Sequence, residues 1–321
     1  MKTKDLLAKA DIALSDIASA GVMQPEMANN FIRILSTDTN FLQDVRIYPM
    51  SRPKMVLNKL DLATRALRVA NQGLISSPLS GEEGTRALSR ADRVKVTTSK
   101  VELDTFETIA EVNIPYEVLE DSIEGGAIDN TRFEETILAK LAERVRIDIE
   151  DILLNGDEDH PTDSFLAARD GVLKQVTSNV VNNSGAPLDA VLFNEMLQAV
   201  PDKFKRLVPR MKFYTSHNQA LRYMLQVAQR QTGLGDAVLI GGNKAQFAPF
   251  GQLMVGAHAM PAASALLIDP ANVIFGVQRN MRMEFDKDTR ERVIIIVLTL
   301  RFDFKLEQED QVVKAINIGT N

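Results

Sequence analysis

One extended run near the C-terminal end constrains the fold of this chain more than any other feature. Residues 292–308 read RVIIIVLTLRFDFKLEQ, a continuously apolar stretch followed by strict alternation of apolar and polar side chains. Alternation with a period of two is typical of a β-strand. Because ordinary strands have about five or six residues, this run predicts an unusually long strand.

The same alternation predicts which side chains the strand buries. Residues 293–297 are all apolar, and we expect them to be buried on both faces. Beyond them we expect one core face and one solvent-facing row: Leu298, Leu300, Phe302, Phe304 and Leu306 on the core face, and Thr299, Arg301, Asp303, Lys305 and Glu307 on the other.

A second alternating segment lies upstream of this run. Met281, Met283 and Phe285 alternate, and the turn-forming residues 286–289 (DKDT) follow them. The pattern predicts a long antiparallel hairpin over residues 274–306, and two ordinary strands joined by a bend are the alternative. A single compact globule cannot cover so long a hairpin, so the sequence favours an elongated subunit.

The strongest helical pattern covers residues 131–154. Thr131 and Glu134 have capping-box spacing, and Asn155–Gly156 ends the helix. An apolar stripe runs along one face: Phe133, Ile137, Leu138, Leu141, Val145, Ile149, Ile152 and Leu153. Such a helix is about 36 Å long at roughly 1.5 Å per residue, so a long helix accompanies the long hairpin.

The charge of the chain is unevenly distributed. The net charge of the 321 residues is −6. Residues 51–100 hold ten Lys or Arg and four Asp or Glu, a balance of +6, whereas residues 101–160 hold four and eighteen, a balance of −14. In most proteins such a pattern only reflects two separate surfaces that face the solvent. Alternatively, the basic segment of one copy lies over the acidic segment of a neighbouring copy.

Two further regions are visible along the chain. Residues 51–100 contain few aromatic side chains and many breakers, and strand-like runs flank them, so we expect a protruding, hairpin-like arm. Residues 185–270 alternate between helical and strand patterns and are expected to form a separate α/β lobe. A glycine-rich loop, TGLGDAVLIGG, lies within this lobe at residues 232–242.

The sequence contains no recognisable catalytic or metal-binding motif. The chain has no cysteine, and its three histidines, His160, His217 and His258, are far apart and lack partners at metal-ligand spacing. The glycine-rich loop matches neither a dinucleotide nor a P-loop motif. We therefore expect no enzyme activity, metal or cofactor. The sequence also has no run of 18 apolar residues and no continuous apolar stretch at its start, so we expect neither a membrane span nor a signal peptide.

The order of these parts resembles the major capsid proteins of tailed bacteriophages with the HK97 fold. The segment FETIAEVNIPYEVLEDS resembles the approach to the spine helix of that family, FEETILAKLAERVRIDIEDILLNGD the spine helix itself, and DGVLKQ the turn beyond it. The segment FGQLMVGAHAMPAASALLIDPANVIFGVQRNMRMEF resembles the exit into the last hairpin. The likeness covers nearly the whole chain as an ordered pattern.

This resemblance implies an α+β, HK97-like capsid fold with four parts. They are an N-terminal arm at residues 1–44, an extended loop (the E-loop) at 45–103, a peripheral domain at 104–185 and 271–321, and an axial domain at 186–270. The peripheral domain would combine the spine helix with the long β-hairpin into a flat plate. A plate is a shape that tiles a shell.

The implied function is self-assembly as hexamers and pentamers into an icosahedral phage head around double-stranded DNA. The implied partners are further copies of the chain, a separate scaffolding protein, a portal, an optional decoration protein, and DNA held without sequence-specific contact. Assembly would take place in the bacterial host cytoplasm, and the protein would reside in the virion. No membrane partner is implied.

The charge pattern and the glycine-rich loop then predict specific sites. We expect the E-loop residues Arg86, Arg90, Arg93 and Lys95 to contact acidic residues of a neighbouring subunit, namely Glu102, Glu107, Glu111 and Glu135. We expect the glycine-rich loop to lie at the centre of the capsomer, with Gly233, Gly235, Gly241 and Gly242 allowing several copies to meet.

Two other functions remain as alternatives at this point. An encapsulin-like nanocompartment shell has the same fold and stores a cargo enzyme, although its E-loop is less extended. The long basic segment favours the phage capsid, and a cargo-docking peptide encoded nearby would favour the nanocompartment. An α+β enzyme would require a convergent set of polar residues, which the sequence does not indicate.

Overall fold

The computed structural model describes residues 41–61, 97–116, 130–229, 248–278 and 282–320. Residues 1–40, which make up most of the predicted N-terminal arm, lie outside these ranges. The chain divides into two compact units, one of Met1–Pro53 with Asp104–Asn321 (the main unit) and one of Lys54–Leu103.

The described residues form twelve strands and four α-helices. The strands are β1 (Arg46–Met50), β2 (Lys54–Asp61), β3 (Thr97–Asp104), β4 (Phe106–Pro115), β5 (Val180–Asn182), β6 (Lys212–Ser216), β7 (Met254–Ala257), β8 (Ala265–Ile268), β9 (Val273–Gln278), β10 (Arg282–Asp288), β11 (Val293–Leu306) and β12 (Val313–Ile316). The helices are α1 (Asn130–Asn155), α2 (Val172–Gln175), α3 (Ala190–Ala199) and α4 (His217–Ala228).

The first sheet is built around the long strand β11. Its order is β1-β9-β11-β10, and β4 also pairs with β11. Strand β10 is antiparallel to the first half of β11, from Asp288↔Val293 to Arg282↔Thr299, and β9 is antiparallel to the second half, ending at Val273↔Leu306. This pairing confirms the predicted hairpin. Because β11 continues without a break over 14 residues, the alternative of a bend within it is wrong.

The predicted burial of β11 is correct for its second half and wrong for its first. The predicted core face, from Leu298 to Leu306 at alternate positions, is buried, as expected. Of residues 293–297, however, only Ile296 is buried. The apolar core lies against one face of the sheet, so the remaining residues of this stretch are half-buried.

Two further expectations for this hairpin are corrected. Asp303, predicted to face solvent, is 0% exposed, because Arg169 and the backbone of Asp104 lie against it. The turn lies at residues 289–292 and not at 286–289, since β10 continues to Asp288. The carboxylate of Asp288 accepts a hydrogen bond from the Arg290 N–H at 2.8 Å, which starts the turn.

Helix α1 covers the core face of the first sheet. Its bounds, Asn130–Asn155, agree with the prediction to within one residue at each end. The apolar stripe is buried where its side chains are described, and Ile152 and Leu153 are 0% exposed. These residues form one core cluster with the inner side chains of β9 and β11.

The second sheet has the order β5-β12-β8-β6-β7 and draws on residues on both sides of the 185–270 lobe. Alternation along β6 divides its side chains between two cores. Tyr214 belongs to the cluster under α1, and its neighbour Phe213 belongs to a second cluster with α3 and α4. Phe193 of α3 lies against the rings of Phe213 and Tyr223, with centroids 4.6 and 5.0 Å away.

The unit Lys54–Leu103 contains a two-stranded sheet formed by β2 and β3. Two paired strands at the two ends of the segment agree with the expectation of a hairpin-like arm. Residues 62–96, which include the basic side chains of the predicted contact, lie outside the described residues.

Candidate assembly interface

Strand β4 presents an exposed row of acidic and apolar side chains on the outer face of the first sheet. Its burial alternates along the whole strand, with Glu107, Ile109 and Glu111 exposed and the intervening side chains covered. Ile109 is 67% exposed. Ile109 thus lies between two exposed carboxylates on this face of the sheet.

The register of β4 against β11 determines which charges on this face are already paired. Glu107 lies opposite Arg301, and its carboxylate accepts hydrogen bonds from the guanidinium at 2.6 and 3.0 Å. Glu111 lies opposite Val297 and is exposed. We therefore regard Glu111 as better suited than Glu107 for contact with a second chain.

A cavity of about 140 Å³ lies between β4, β11 and helix α1. Val145, Ile149 and Phe165 supply apolar walls, and Asp148 adds a carboxylate. Burial raises the pKa of Asp148, whereas the nearby Arg144 opposes the shift, at 2.9 Å. The cavity is too small for a drug-sized ligand, and one apolar side chain would fill much of it.

The segment just before β1 is anchored to the second sheet. The carboxylate of Asp44 accepts hydrogen bonds from Lys212 Nζ at 2.7 Å and from the Tyr214 hydroxyl at 2.8 Å. Phe41 packs edge-on against the Tyr214 ring, with centroids 4.7 Å apart. Burial, together with the negative charge of Asp44, raises the pKa of Tyr214 far above its ordinary value, so the phenol stays protonated and remains a donor.

The structure describes only some of the predicted site residues. Glu102 is exposed on β3 and Glu107 and Glu111 are exposed on β4, whereas the side chain of Glu135, on helix α1, is not described. The other predicted residues lie outside the described ranges: Arg86, Arg90, Arg93, Lys95, Gly233, Gly235, Gly241 and Gly242. The predicted contact and the capsomer-centre loop therefore stay predictions.

Two of the three histidines have ordinary structural contacts, and the third, His258, is exposed. His160 Nδ1 accepts a hydrogen bond from the Asp163 N–H at 3.0 Å within a turn. The ring of His217 lies against Gly256, where an added Cβ would come within 2.5 Å of Nδ1. Within the described ranges, no group of His, Asp and Glu side chains is arranged to hold a metal ion, and no helix is long and apolar enough to cross a membrane.

Comparison with known proteins identifies the family. The sequence model of the SU10 major capsid protein family matches residues 128–304, from α1 to β11. A putative prophage capsid protein of Bacillus subtilis (strain 168), YqbE, is 36% identical to this chain over 328 aligned residues, covering 99% of each. The chain belongs to the phage major capsid protein family.

The solved structures agree on the fold. A chain of the satellite phage P4 procapsid that includes the size determination (Sid) protein has a TM-score of 0.64 at 15% identity, covering 99% of this chain and 98% of its own. The holo-SrpI encapsulin of Synechococcus elongatus PCC 7942 has a TM-score of 0.53 at 12% identity, covering 87% and 88%. Similarities at these identities establish the HK97-like fold alone.

Family membership also establishes the general role of the chain. This major capsid protein is a structural protein and not an enzyme, it self-associates into capsid shells, and it resides in the virion. The capsid fold and the structural role that the sequence resemblance implied are thereby confirmed. The encapsulin alternative is weaker, because only the fold connects it to this chain.

Proposed function

We propose that this capsid protein assembles as hexamers and pentamers into an icosahedral head that encloses double-stranded DNA. In this proposal residues 1–44 are the N-terminal arm and 45–103 the E-loop. Residues 104–185 and 271–321 are the peripheral domain, and 186–270 the axial domain. A separate scaffolding protein and a portal take part in assembly in the bacterial host cytoplasm, and a decoration protein can be added. The DNA is held without sequence-specific contact, in keeping with a net acidic chain.

The observation that supports this proposal best is the opposite charge of two regions, the basic E-loop and the acidic row on the outer face of the first sheet. Residues 51–100 carry a net charge of +6, and Lys54–Leu103 is a compact unit of its own. The exposed row on β4 offers Glu111 and Ile109. We infer that Arg86, Arg90, Arg93 and Lys95 of one subunit contact the acidic residues Glu102, Glu107, Glu111 and Glu135 of a neighbour, with Gly233, Gly235, Gly241 and Gly242 at the capsomer centre.

The charge contact is tested by neutralisation. Changing Arg86, Arg90, Arg93 and Lys95 to alanine should leave the subunit folded by circular dichroism but sharply reduce closed shells in negative-stain electron microscopy. The matched control changes four other basic residues among residues 51–100 to alanine: Arg52, Arg65, Arg68 and Lys100. Normal shells from the first set, or equal loss from both, would contradict the contact.

Ionic strength and charge reversal refine this test. Assembly of the natural chain should weaken as salt rises, because salt shortens the range of interaction between exposed charges from about 10 Å at 0.1 M to about 3 Å at 1 M. Glu111→Arg should impair assembly, and a compensating Arg90→Glu in the same chain should restore part of it. The particle contents then distinguish the two kinds of shell, since DNA indicates a phage head and a cargo protein indicates a nanocompartment.

A further inference from the structure

The two ends of the segment Lys54–Leu103 meet at one point of the main unit. Pro53 is the last residue before this segment, and Asp104 and Thr105 are the first residues after it. The Thr105 N–H donates a hydrogen bond to the Pro53 carbonyl at 2.9 Å, and the Thr105 hydroxyl lies 3.1 Å from the same oxygen. We call these three residues the neck.

Two side chains from distant parts of the chain hold the backbone of the neck. The Asp303 carboxylate accepts a hydrogen bond from the Asp104 N–H at 2.6 Å. The Arg169 guanidinium donates a hydrogen bond to the Asp104 carbonyl, also at 2.6 Å. The backbone N–H and the backbone carbonyl of Asp104 are therefore both bound by charged side chains, which form shorter and stronger hydrogen bonds than neutral ones.

Arg169 and Asp303 also interact with each other. Arg169 Nε lies 3.2 Å from Asp303 Oδ1. Within the described part of the chain neither atom makes a well-aligned hydrogen bond, so this contact is an ion pair without hydrogen-bond geometry. The guanidinium also lies over the Phe106 ring, 5.7 Å from its centroid. The neck, the loop after α1 and strand β11 are thus joined at one place.

This arrangement is costly, which argues against an incidental contact. Asp303 is fully buried, between Phe302 and Phe304 on β11, where an apolar residue would satisfy the sheet equally well. Burying a carboxylate is unfavourable unless paired charges and hydrogen bonds compensate. Here the compensation comes from Arg169 and from the neck itself. An apolar replacement would leave the Asp104 N–H without its acceptor.

We propose that Arg169 and Asp303 are positioning residues that clamp the neck and thereby hold both ends of the segment Lys54–Leu103 for docking on a neighbouring subunit. The docking part rests on the proposed function, because that function assigns the segment to the contact between subunits. The clamp itself rests only on contacts within the main unit. Because Asp303 is fully buried, it would act on docking through the neck and not through a contact of its own.

The test uses the full chain with two variants and a matched control. Asp303→Asn removes the charge with little change in shape, and Arg169→Lys keeps the charge but removes the planar fork that reaches Asp104. The control is Arg144→Lys, the same kind of substitution in an exposed ion pair, Arg144–Asp148 on helix α1, which takes no part in the clamp or in the proposed contact. Amide hydrogen exchange on the unassembled chain and electron microscopy after assembly are the two readouts.

We expect local and not global loosening. In both variants the amides of Asp104 and Thr105 should exchange about tenfold faster or more, the change that follows loss of one charge-assisted hydrogen bond. The amide of Lys305, in the β9–β11 pairing, should exchange at its original rate. After assembly, both variants should give fewer closed shells and more open or irregular particles, and Arg144→Lys should give normal ones.

Each result decides a separate part of the proposal. Unchanged exchange at Asp104 and Thr105, or equal acceleration throughout the main unit, would overturn the clamp. Faster local exchange with normal shells would overturn its role in docking. If the natural chain forms no shells either alone or with its scaffolding protein, the proposed function fails, and the exchange data still decide whether the clamp exists.

Discussion

Close backbone contact makes two glycines after the long helix irreplaceable. A Cβ added to Gly156 would lie 2.1 Å from the Arg169 carbonyl oxygen, and one added to Gly171 would lie 2.6 Å from the Leu154 carbonyl oxygen. The Gly171 N–H donates a hydrogen bond to the Gly156 carbonyl at 2.7 Å. Since only backbone atoms crowd these positions, no side chain can move aside. This contact also sets the position of Arg169.

We expect Gly156→Ala and Gly171→Ala each to lower the free energy of unfolding by about 3 kcal/mol or more, as severe overpacking does. The control is Gly185→Ala, where φ is +81° and no atom lies within 4 Å of the added Cβ. There the loss should be only about 1 kcal/mol, the cost of a left-handed backbone. Urea denaturation of the three variants measures the difference, and equal losses would contradict the contact.

Glu309 is a second residue whose role depends on the backbone around it. Its carboxylate accepts hydrogen bonds from the N–H groups of Thr177 and Ser178, each at 2.7 Å, and from the Ser178 hydroxyl. Burial acts to raise the pKa of Glu309, but these hydrogen bonds prevail and lower it. The ionised carboxylate therefore joins the chain before β5 to the chain before β12.

Glu309→Gln should lower the free energy of unfolding by about 1–2 kcal/mol at neutral pH, because the hydrogen bonds lose their charge. A lowered folded-state pKa means that the stabilisation is present above the unfolded pKa near 4.5 and disappears as pH falls through the folded value. The two proteins should therefore converge at acid pH. Asp310→Asn is the control, since its ion pair with Lys203 is exposed and worth little. If the free energies of unfolding of the two proteins differed by the same amount at all pH values, the ionised Glu309 carboxylate would not be the source of the stabilisation.

At the scale of a single element, helix α1 carries a buried charged pair on its otherwise apolar face. Glu150 is 3% exposed and Arg146 is 7% exposed. Burial raises the pKa of Glu150 to about 7, and the Arg146 charge only partly opposes this. An acid with a raised folded-state pKa favours the folded state at low pH, and this contribution is lost as pH rises from about 4.5 towards 7.

We therefore expect Glu150→Gln to stabilise the protein at pH 8, by the order of 2 kcal/mol, and to have little effect near pH 4.5. Thermal denaturation across this range measures the change. Glu143→Gln on the same helix is the control, because the pKa of Glu143 is lowered by a hydrogen bond from Lys140 and its side chain is exposed. The Glu143→Gln variant should show no gain in thermal stability at pH 8. A destabilised Glu150→Gln protein at pH 8 would show that the pair is net favourable.

At the scale of the whole molecule, the neck makes the segment Lys54–Leu103 separable from the main unit. Because Pro53 and Thr105 are hydrogen-bonded to each other, a short link can replace the 50 residues between Pro53 and Asp104. The main unit also keeps the described members of both core clusters in that case, since none of them belongs to the segment.

A chain in which two glycines replace Lys54–Leu103 should fold and should form no closed shells. Circular dichroism and a cooperative thermal transition would establish the fold, and electron microscopy would establish the loss of assembly. A control with the segment intact and two glycines inserted after Gly251, next to an exposed turn, should fold equally well. Closed shells from the deleted chain would exclude the segment from the essential contacts between subunits.

Much of the architecture was predictable because it depends on local pattern. The period-two row from Leu298 to Phe304 and the helical stripe that includes Ile149 and Ile152 identified the long hairpin and the long helix. The order of these elements was sufficient to recognise the capsid fold. These features are local because side-chain direction repeats every two residues in a strand and every 3.6 residues in a helix.

The assembly surface was predictable only in part. Charge counts indicated a basic arm and an acidic partner region, but they could not separate Glu107, which Arg301 pairs, from Glu111, which lies opposite Val297. That distinction follows from the register between β4 and β11. Register depends on strand pairing between distant residues, which composition does not record.

By itself the sequence determined the strand and helix patterns, the uneven charge and the family of this capsid protein. The tertiary structure alone decided that Asp303 is buried, that Arg169 reaches the neck, and that Gly156 admits no side chain. The physical reason is the range of the interactions. Periodicity arises between residues adjacent in sequence, whereas burial, ion pairing and backbone crowding depend on segments that only folding brings together.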